Sequence, residues 1–168
     1  MIKIARQKLT EKQLKLRKKL WPEIDENRLW NRKKRTGFTT IPRTMPIIMN
    51  IMDSLSKGKP VSNTYLEIWC RAFDECVVTL SKPLELAFHA GFTGQRALQT
   101  WRERVRILSE LGFINVKEGA SGKMSYVLVL NPYEVIEQHR KNGHPGISKD
   151  MYNALVDRAI EIGADDLE

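Results

Sequence analysis

The sequence predicts a mostly α-helical protein with one small β-hairpin, an α+β fold, and three features predict it. Apolar residues recur at helical spacing in several segments between residues 44 and 163. Two runs rich in β-branched residues, 113–118 and 125–130, flank a Gly/Ser/Lys stretch, which is the pattern of a hairpin. Proline and glycine separate these segments. With 168 residues, 42% of them hydrophobic, the chain can build one compact domain with an added arm or tail.

The first quarter of the chain holds all of the excess positive charge. Residues 1–43 carry 14 Lys/Arg and four Asp/Glu, whereas residues 44–168 carry 14 Lys/Arg and 16 Asp/Glu. A helix is predicted over 10–20, with Thr10 as its N-cap and Trp21-Pro22 at its end. A second basic cluster, RLWNRKKR, follows at 28–35. We expect a basic arm for an anionic polymer or surface; the alternative is a charged helix that only aids solubility.

From Thr44 onward the sequence becomes that of a globular domain. A first helix is predicted from Pro46 to Leu55, with a cap and a proline in its first turn. A second helix is predicted to be capped by Ser62 or Asn63. Its apolar and aromatic residues are expected in the core: Tyr65, Leu66, Ile68, Trp69, Ala72 and Phe73. Residues 77–80 form a short β-branched run that predicts a strand.

Two helices separated by a tight turn are predicted next. Ser81 is the expected N-cap of the first, which ends near Ala90 at Gly91, where a left-handed backbone is expected. Thr93 is the expected cap of the second, which runs over about 94–111. Its apolar stripe consists of Leu98, Trp101, Val105 and Leu108.

A hairpin and two further helices complete the domain. The strands 113–118 and 125–130 are joined by a turn at 119–123, and Asn131-Pro132 starts a helix that runs to about Lys141. Ser148 is predicted to cap a last helix, followed by an acidic end at 165–168. The apolar stripe of that last helix either forms a homodimer contact or packs on its own domain.

The segment LAFHAGF, with Ala87 four residues before Gly91, and the passage RILSELGFINVKEG…YVLVLNP resemble the winged helix-turn-helix superfamily over roughly residues 44–141. The resemblance implies a basic N-terminal arm (1–43), a winged helix-turn-helix domain (44–147), and a C-terminal helix with an acidic tail (148–168). The apolar spacing predicts a turn about one residue longer than the tightest form. The ending LNPY and the basic lead-in are similar to plasmid or phage replication and partition proteins.

This resemblance implies a double-stranded DNA partner and a division of roles among the polar residues. The N-terminal half of the second helix of such a motif approaches the bases, where Arg can bind guanine and Gln can bind adenine. The expected base-reading residues are Gln95, Arg96, Gln99 and Thr100. The expected backbone contacts are Arg102, Arg106, Lys117, Ser121, Lys123, Lys33, Lys34, Arg35, Lys18 and Lys19. The alternative is an ordinary solvated helix face balanced by Glu103 and Glu110.

The expected function is sequence-specific binding of double-stranded DNA, as a transcriptional regulator or as a replication or partition factor of a bacterial mobile element. Two alternatives stay open: a winged-helix module whose basic arm binds an acidic protein partner, and an RNA-binding protein. Trp21 and Trp30 either anchor the arm to the domain or stack on exposed bases.

Composition and motifs favour no catalysis. The sequence has no phosphate-binding loop, dinucleotide fingerprint or serine-nucleophile elbow. His139 and His144 have no nearby cysteine, so we expect no metal site, no cofactor and no enzyme. Cys70 and Cys76 are expected to be buried free thiols. The lack of an apolar signal or membrane-length run predicts a cytoplasmic protein with no membrane partner.

Overall fold

The computed structural model describes residues 2–164 and Leu167, and these residues fold as a mixed α+β protein. They form seven α-helices, two short 3-10 helices and one three-stranded antiparallel sheet. The chain divides into two compact units between Phe38 and Thr39. The division lies before the predicted boundary after residue 43, because Trp69 Nε1 in the second unit donates to the Thr40 carbonyl at 2.9 Å. The predicted acidic tail falls largely on residues 165, 166 and 168, which lie outside the described residues.

The first unit begins with a long helix, α1 (Ile2–Leu20). The predicted start at Thr10 was wrong: residues 2–9 contain no Gly or Pro, so the helix continues through them and Thr10 lies inside it. The predicted end before Trp21-Pro22 is confirmed. Two 3-10 helices follow, Glu26–Arg28 and Arg32–Lys34, capped by the side chains of Asp25 and Asn31.

The second unit opens with α2 (Met45–Leu55), α3 (Ser62–Arg71) and the strand β1 (Val77–Thr79). The predicted cap of α3 at Ser62 or Asn63 was wrong, because Asp53 caps this helix from α2. Its carboxylate accepts from the Val61 N–H at 2.7 Å, the Ser62 N–H at 2.9 Å and the Ser62 hydroxyl at 2.7 Å. Phe73, expected in the core, is 86% exposed because α3 ends before it.

The next two helices are α4 (Pro83–His89) and α5 (Ala97–Glu110). The left-handed backbone at Gly91 (φ 89°) is confirmed. Two predicted caps were wrong: Lys82 rather than Ser81 precedes α4, and α5 does not begin after Thr93. Gly94 is also left-handed (φ 81°), and since this conformation interrupts a right-handed helix, α5 starts only at Ala97.

The predicted hairpin is confirmed as β2 (Ile114–Gly119) and β3 (Gly122–Val129). Its turn consists only of residues 120–121, shorter than the predicted 119–123, because the backbone keeps pairing up to Gly119 and Gly122. The sheet order is β1-β3-β2, all antiparallel, with Val77 opposite Leu128. The predicted strand at 77–80 is therefore a third member of the hairpin sheet.

The chain ends with α6 (Pro132–Lys141) and α7 (Lys149–Ile162). The predicted helix start at Asn131-Pro132 is confirmed, and there Asn131 Oδ1 accepts from the Tyr133 N–H at 3.0 Å. The predicted cap Ser148 is confirmed as well, since its Oγ accepts from the Met151 N–H at 3.2 Å. Helix α7 packs against α2 and buries Leu155 and Ala159. These two residues of its apolar stripe thus pack on their own domain, whereas Ile160 is exposed.

The core of the second unit joins all six of its helices to the inner face of the sheet. Its largest fully buried side chains include Trp101, Tyr65 and Phe113. Cys70 and Cys76 are free but exposed, so their predicted burial was wrong: one lies at the solvent side of α3 and the other in the turn before β1. None of the helices within the described residues combines the length and the apolarity needed to cross a membrane.

Candidate nucleic-acid interface

A small buried residue and a left-handed turn lie where α4 is followed by α5. Ala87 of α4 is completely buried, and α4 packs against α5. The Phe92 N–H donates to the Ala87 carbonyl at 3.0 Å and the Gly91 N–H to the Phe88 carbonyl at 3.0 Å. The connection spans residues 90–96, longer than predicted, because Gly94 delays the start of α5.

Helix α5 has one buried and one exposed face. Trp101, Val105 and Leu108 are buried in the core. Gln99, Arg102 and Arg106 are exposed and, at 3.6 residues per turn, fall within an arc of about 60° on the other side of the helix. This exposed face is one part of the candidate interface.

The four expected base-reading residues occupy different positions. Gln99 lies on the exposed face of α5, whereas Thr100 is rotated by about 100° from it and is half-buried. Gln95 and Arg96 are exposed but precede the helix, in the turn after Gly94. Arg96 is the N-cap residue of α5, so its guanidinium and the free N–H groups of the first helical turn both favour an anion at this end.

Ion pairing divides the charged residues of α5. Within the described part of the chain, Arg96 and Arg102 make no side-chain hydrogen bond or ion pair. Arg106 instead pairs with Glu110. Glu103 lies 2.5 Å from the Lys59 ammonium and 3.1 Å from the Arg104 guanidinium, and the hydrogen bond from Lys59 lowers the pKa of its carboxyl. The acids of the helix are thus already paired, which leaves Arg96 and Arg102 available to a ligand.

The outer face of the sheet adds two residues that the sequence did not indicate. The strand register places Lys117 opposite Tyr126, and Tyr126 opposite Thr79, so three hydrogen-bond donors form one exposed row across β2, β3 and β1. Alternation along β3 could have suggested an exposed Tyr126. Its neighbours Lys117 and Thr79 are identified only by the strand register. An irregularity of the hairpin between Lys117 and Gly119 shifts that register.

Gly119 leaves room for the Tyr126 ring because it has no side chain. A Cβ at Gly119 would collide with that ring and lie 2.9 Å from Ser125 Cβ, closer than real side chains approach. The ring therefore rests on bare backbone near the hairpin tip. The expected contacts Ser121 and Lys123 are exposed at that tip, one in the turn and one at the start of β3.

The expected backbone contacts of the first unit are all exposed. Lys18 and Lys19 lie in the last turn of α1, Lys33 and Lys34 in the second 3-10 helix, and Arg35 directly after it. Trp21 and Trp30 are exposed as well. Anchoring of this unit by the two tryptophans stays a prediction.

The histidines have structural partners. Arg71 Nη2 lies 2.7 Å from His89 Nδ1, His139 Nε2 lies 2.7 Å from the Leu111 carbonyl, and the Gly146 N–H donates to His144 Nδ1 at 3.0 Å. Burial lowers the pKa of His144, with a further contribution from the neighbouring His139. Within the described residues, no three His, Cys, Asp or Glu side chains form a group that could hold a metal ion.

The known proteins compared with this chain provide no relative: no family model, no curated protein and no solved structure matches it. The function of this surface is therefore inferred from its own geometry and charge.

Proposed function

We propose that this protein binds double-stranded DNA with sequence specificity, through the turn before α5 and the exposed face of α5. The observation that carries the proposal is the pair of exposed arginines without an acidic partner, Arg96 and Arg102, beside the exposed amides of Gln95 and Gln99. Arg can bind guanine and Gln can bind adenine with two hydrogen bonds each.

The dimensions of α5 support this assignment. The major groove of B-DNA is about 12 Å wide, and an α-helix with its side chains is about 10–12 Å across. When the N-terminal end of α5, at Arg96, enters the groove, the residues that read the bases are Gln95, Arg96 and Gln99. Arg102, three residues beyond Gln99, is then placed toward a phosphate. Thr100 is half-buried on the flank of α5 and is therefore the least accessible to DNA of the four expected base-reading residues.

The order of elements supports the resemblance to winged helix-turn-helix domains. Helix α3, strand β1, helices α4 and α5 and the β2–β3 hairpin follow one another, and β3 lies between the other two strands. In such an arrangement Lys117, Ser121 and Lys123 of the hairpin contact the DNA backbone beside the helix. The basic first unit adds phosphate contacts through Lys18, Lys19, Lys33, Lys34 and Arg35.

The proposed role is that of a transcriptional regulator or of a replication or partition factor of a bacterial mobile element. It rests on the similarity of the LNPY ending and the basic lead-in. Helix-turn-helix proteins commonly bind paired half-sites as two-fold dimers. Leu155 and Ala159 of α7 are buried in their own domain, whereas Ile160 on the same helix is 71% exposed.

The decisive experiment selects bound sequences from a random duplex pool and then measures gel retardation of the selected site against a scrambled duplex, over a range of salt. We expect enrichment of a defined site. For both duplexes, the logarithm of the binding constant should fall linearly with the logarithm of the salt concentration. Bound pools without a common site, or no retardation of any duplex at low salt, would exclude the proposal. A matched RNA duplex as competitor tests the RNA alternative.

One observation favours a second candidate, a protein-interaction module. Leu84 and Phe88 lie one turn apart on α4 and are 65% and 66% exposed, and Phe92 is half-buried in the same groove. Exposed apolar patches of this kind mark protein-binding surfaces. Under this function, Leu84→Ser with Phe88→Ser would abolish association with a protein partner and leave DNA retardation unchanged.

A further inference from the structure

Trp30 is an exposed aromatic residue inside a basic segment. Its side chain is 67% exposed, and it lies between Arg28 and the cations at 32–35. The backbone is extended at Leu29 (φ −89°, ψ 139°) and again at Asn31 (φ −134°, ψ 108°). Successive side chains of an extended chain point to opposite sides, which agrees with a half-buried Leu29 beside an exposed Trp30.

Local hydrogen bonds hold the backbone on both sides of this indole. Asp25 Oδ1 accepts from the Asn27 N–H at 2.9 Å, and Asn31 Oδ1 accepts from the Lys33 N–H at 3.0 Å. The second bond caps the 3-10 turn Arg32–Lys34, which the Lys34 N–H closes by donating to the Asn31 carbonyl at 2.9 Å. The three cationic side chains of this turn project about 120° apart because a 3-10 helix has three residues per turn. The turn thus presents positive charge in several directions next to a flat aromatic surface.

The cations of this segment have no acidic partners among the described residues. Arg28, Arg32, Lys33, Lys34 and Arg35 are exposed, and the ion pair of this unit joins Arg17 to Glu26 at 2.6 Å. Two thirds of the large apolar side chain of Trp30 lies in water, among five cations that pair with no acid of the described residues. It has the composition of a surface that contacts a polyanion carrying flat apolar groups.

We propose that residues 28–35 form a second nucleic-acid site, which binds single-stranded nucleic acid by stacking an unpaired base on Trp30 while the cations contact the flanking phosphates. Sequence-tolerant single-strand sites combine these two elements, a basic track and an aromatic platform. The site goes beyond the duplex binding proposed above, because it needs a base that is not stacked on its neighbours in a duplex.

The single-stranded ligand is favoured over a duplex by the indole itself. The cations alone would bind any phosphate backbone, including that of a duplex. A duplex keeps its bases stacked on one another, so Trp30 would add little to duplex binding. An acidic peptide would satisfy the charges but would offer no flat partner to the ring.

The test measures binding of the full chain to labelled single-stranded oligothymidylate of about 12 nucleotides by fluorescence anisotropy. We expect Trp30→Ala to weaken this binding about tenfold, and Trp30→Phe to retain most of it. Affinity for a random-sequence duplex should change less than about twofold with either variant. Leu16→Ala is the control, since it removes an exposed apolar side chain of the same unit that has no π face.

Two further measurements complete the test. An oligouridylate of the same length separates RNA from DNA: tighter binding of uridylate identifies RNA as the ligand, and tighter binding of thymidylate identifies DNA. Arg96→Ala should leave single-strand binding unchanged, so the failure of the duplex proposal and that of this one are distinguishable. Equal losses with Trp30→Ala on single strand and duplex, or no loss on either, would overturn the inference.

Discussion

The cations near α5 and those on α6 and α7 differ in what surrounds them. Arg96, Arg102, Lys117 and Lys123 are exposed and make no ion pair among the described residues. On the last two helices, Arg140 and Lys141 pair with Glu137 at 2.6 Å and 3.4 Å, and Arg158 pairs with Glu161 at 2.5 Å. Lys149, at the start of α7, is exposed and unpaired within the described part of the chain as well, but the last two helices carry five acids against four cations. Only the first region therefore has an excess of unpaired positive charge.

The paired cations have a structural role. Glu137 accepts from Arg140 Nε at 2.9 Å and Nη2 at 2.6 Å, and from the Tyr152 hydroxyl of α7 at 2.6 Å. The Arg140 guanidinium also lies 4.5 Å from the centre of the Tyr152 ring. These contacts connect α6 to α7. The comparison teaches that a count of basic residues does not separate neutralised cations from available ones, whereas their ion pairing does.

The largest effect on DNA binding is expected from Arg96→Ala. Because this arginine is unpaired at the N-terminus of α5, its loss should cost about 1–3 kcal/mol on the selected site and much less on a scrambled duplex. The measurement is a pair of gel-shift titrations at one salt concentration. Arg158→Ala, which removes a paired arginine of α7, should change neither affinity. Equal losses for the two variants would remove the distinction between paired and unpaired cations.

The next effect concerns the first unit. Changing Lys33 and Lys34 together to Ala should weaken all duplexes by a similar factor, roughly tenfold, and should flatten the log–log salt slope by about 1.8. A double variant with Lys117 and Lys123 changed to Ala tests the phosphate contacts of the hairpin in the second unit in the same way. A salt slope that stays the same in both double variants would show that these exposed cations do not contact phosphate.

The sequence predicted those features that depend on neighbouring residues. The helix start at Asn131-Pro132, the cap by Ser148, the left-handed Gly91 and the hairpin all depend on local backbone chemistry, and the structure has them. The cap of α3 was missed, because Asp53 reaches it from another helix. The start of α5 was missed because the pattern of apolar residues does not reveal that Gly94 adopts a left-handed conformation.

The candidate site was predictable in composition but not in arrangement. Helical periodicity placed Gln99, Arg102 and Arg106 opposite Trp101, as the structure shows. Periodicity could not show that Arg106 is paired and Arg102 is not, since both have acids nearby in sequence. Nor could it place Thr79 beside Tyr126, because their adjacency follows from pairing between strands distant in sequence.

The paired region should respond to pH through Glu137. The hydrogen bonds from Arg140 and Tyr152 lower the pKa of this carboxyl to about 2, so the folded state favours the ionised form. Its contribution to stability is present above the unfolded pKa of about 4.3 and is lost as the pH falls from there toward 2. Glu137→Gln should lower the free energy of unfolding by about 1 kcal/mol at pH 7. Urea unfolding at pH 7 and pH 3 should show this difference shrinking in acid; a constant difference would contradict the assignment.

The smallest effect is expected where the two kinds of cation meet on one helix. Arg106 lies on the exposed face of α5 but is paired with Glu110, so Glu110→Gln should release it and remove a negative charge from the same face. We expect all duplexes to bind about two- to threefold more tightly, consistent with the roughly 0.5 kcal/mol of an exposed ion pair. The salt slope should steepen by about 0.9 as Arg106 gains a phosphate. Glu161→Gln is the matched control, because it releases Arg158 on α7 in the same way and should leave DNA binding unchanged. If both variants tighten binding equally, net charge alone governs affinity and the face of α5 has no special part in it.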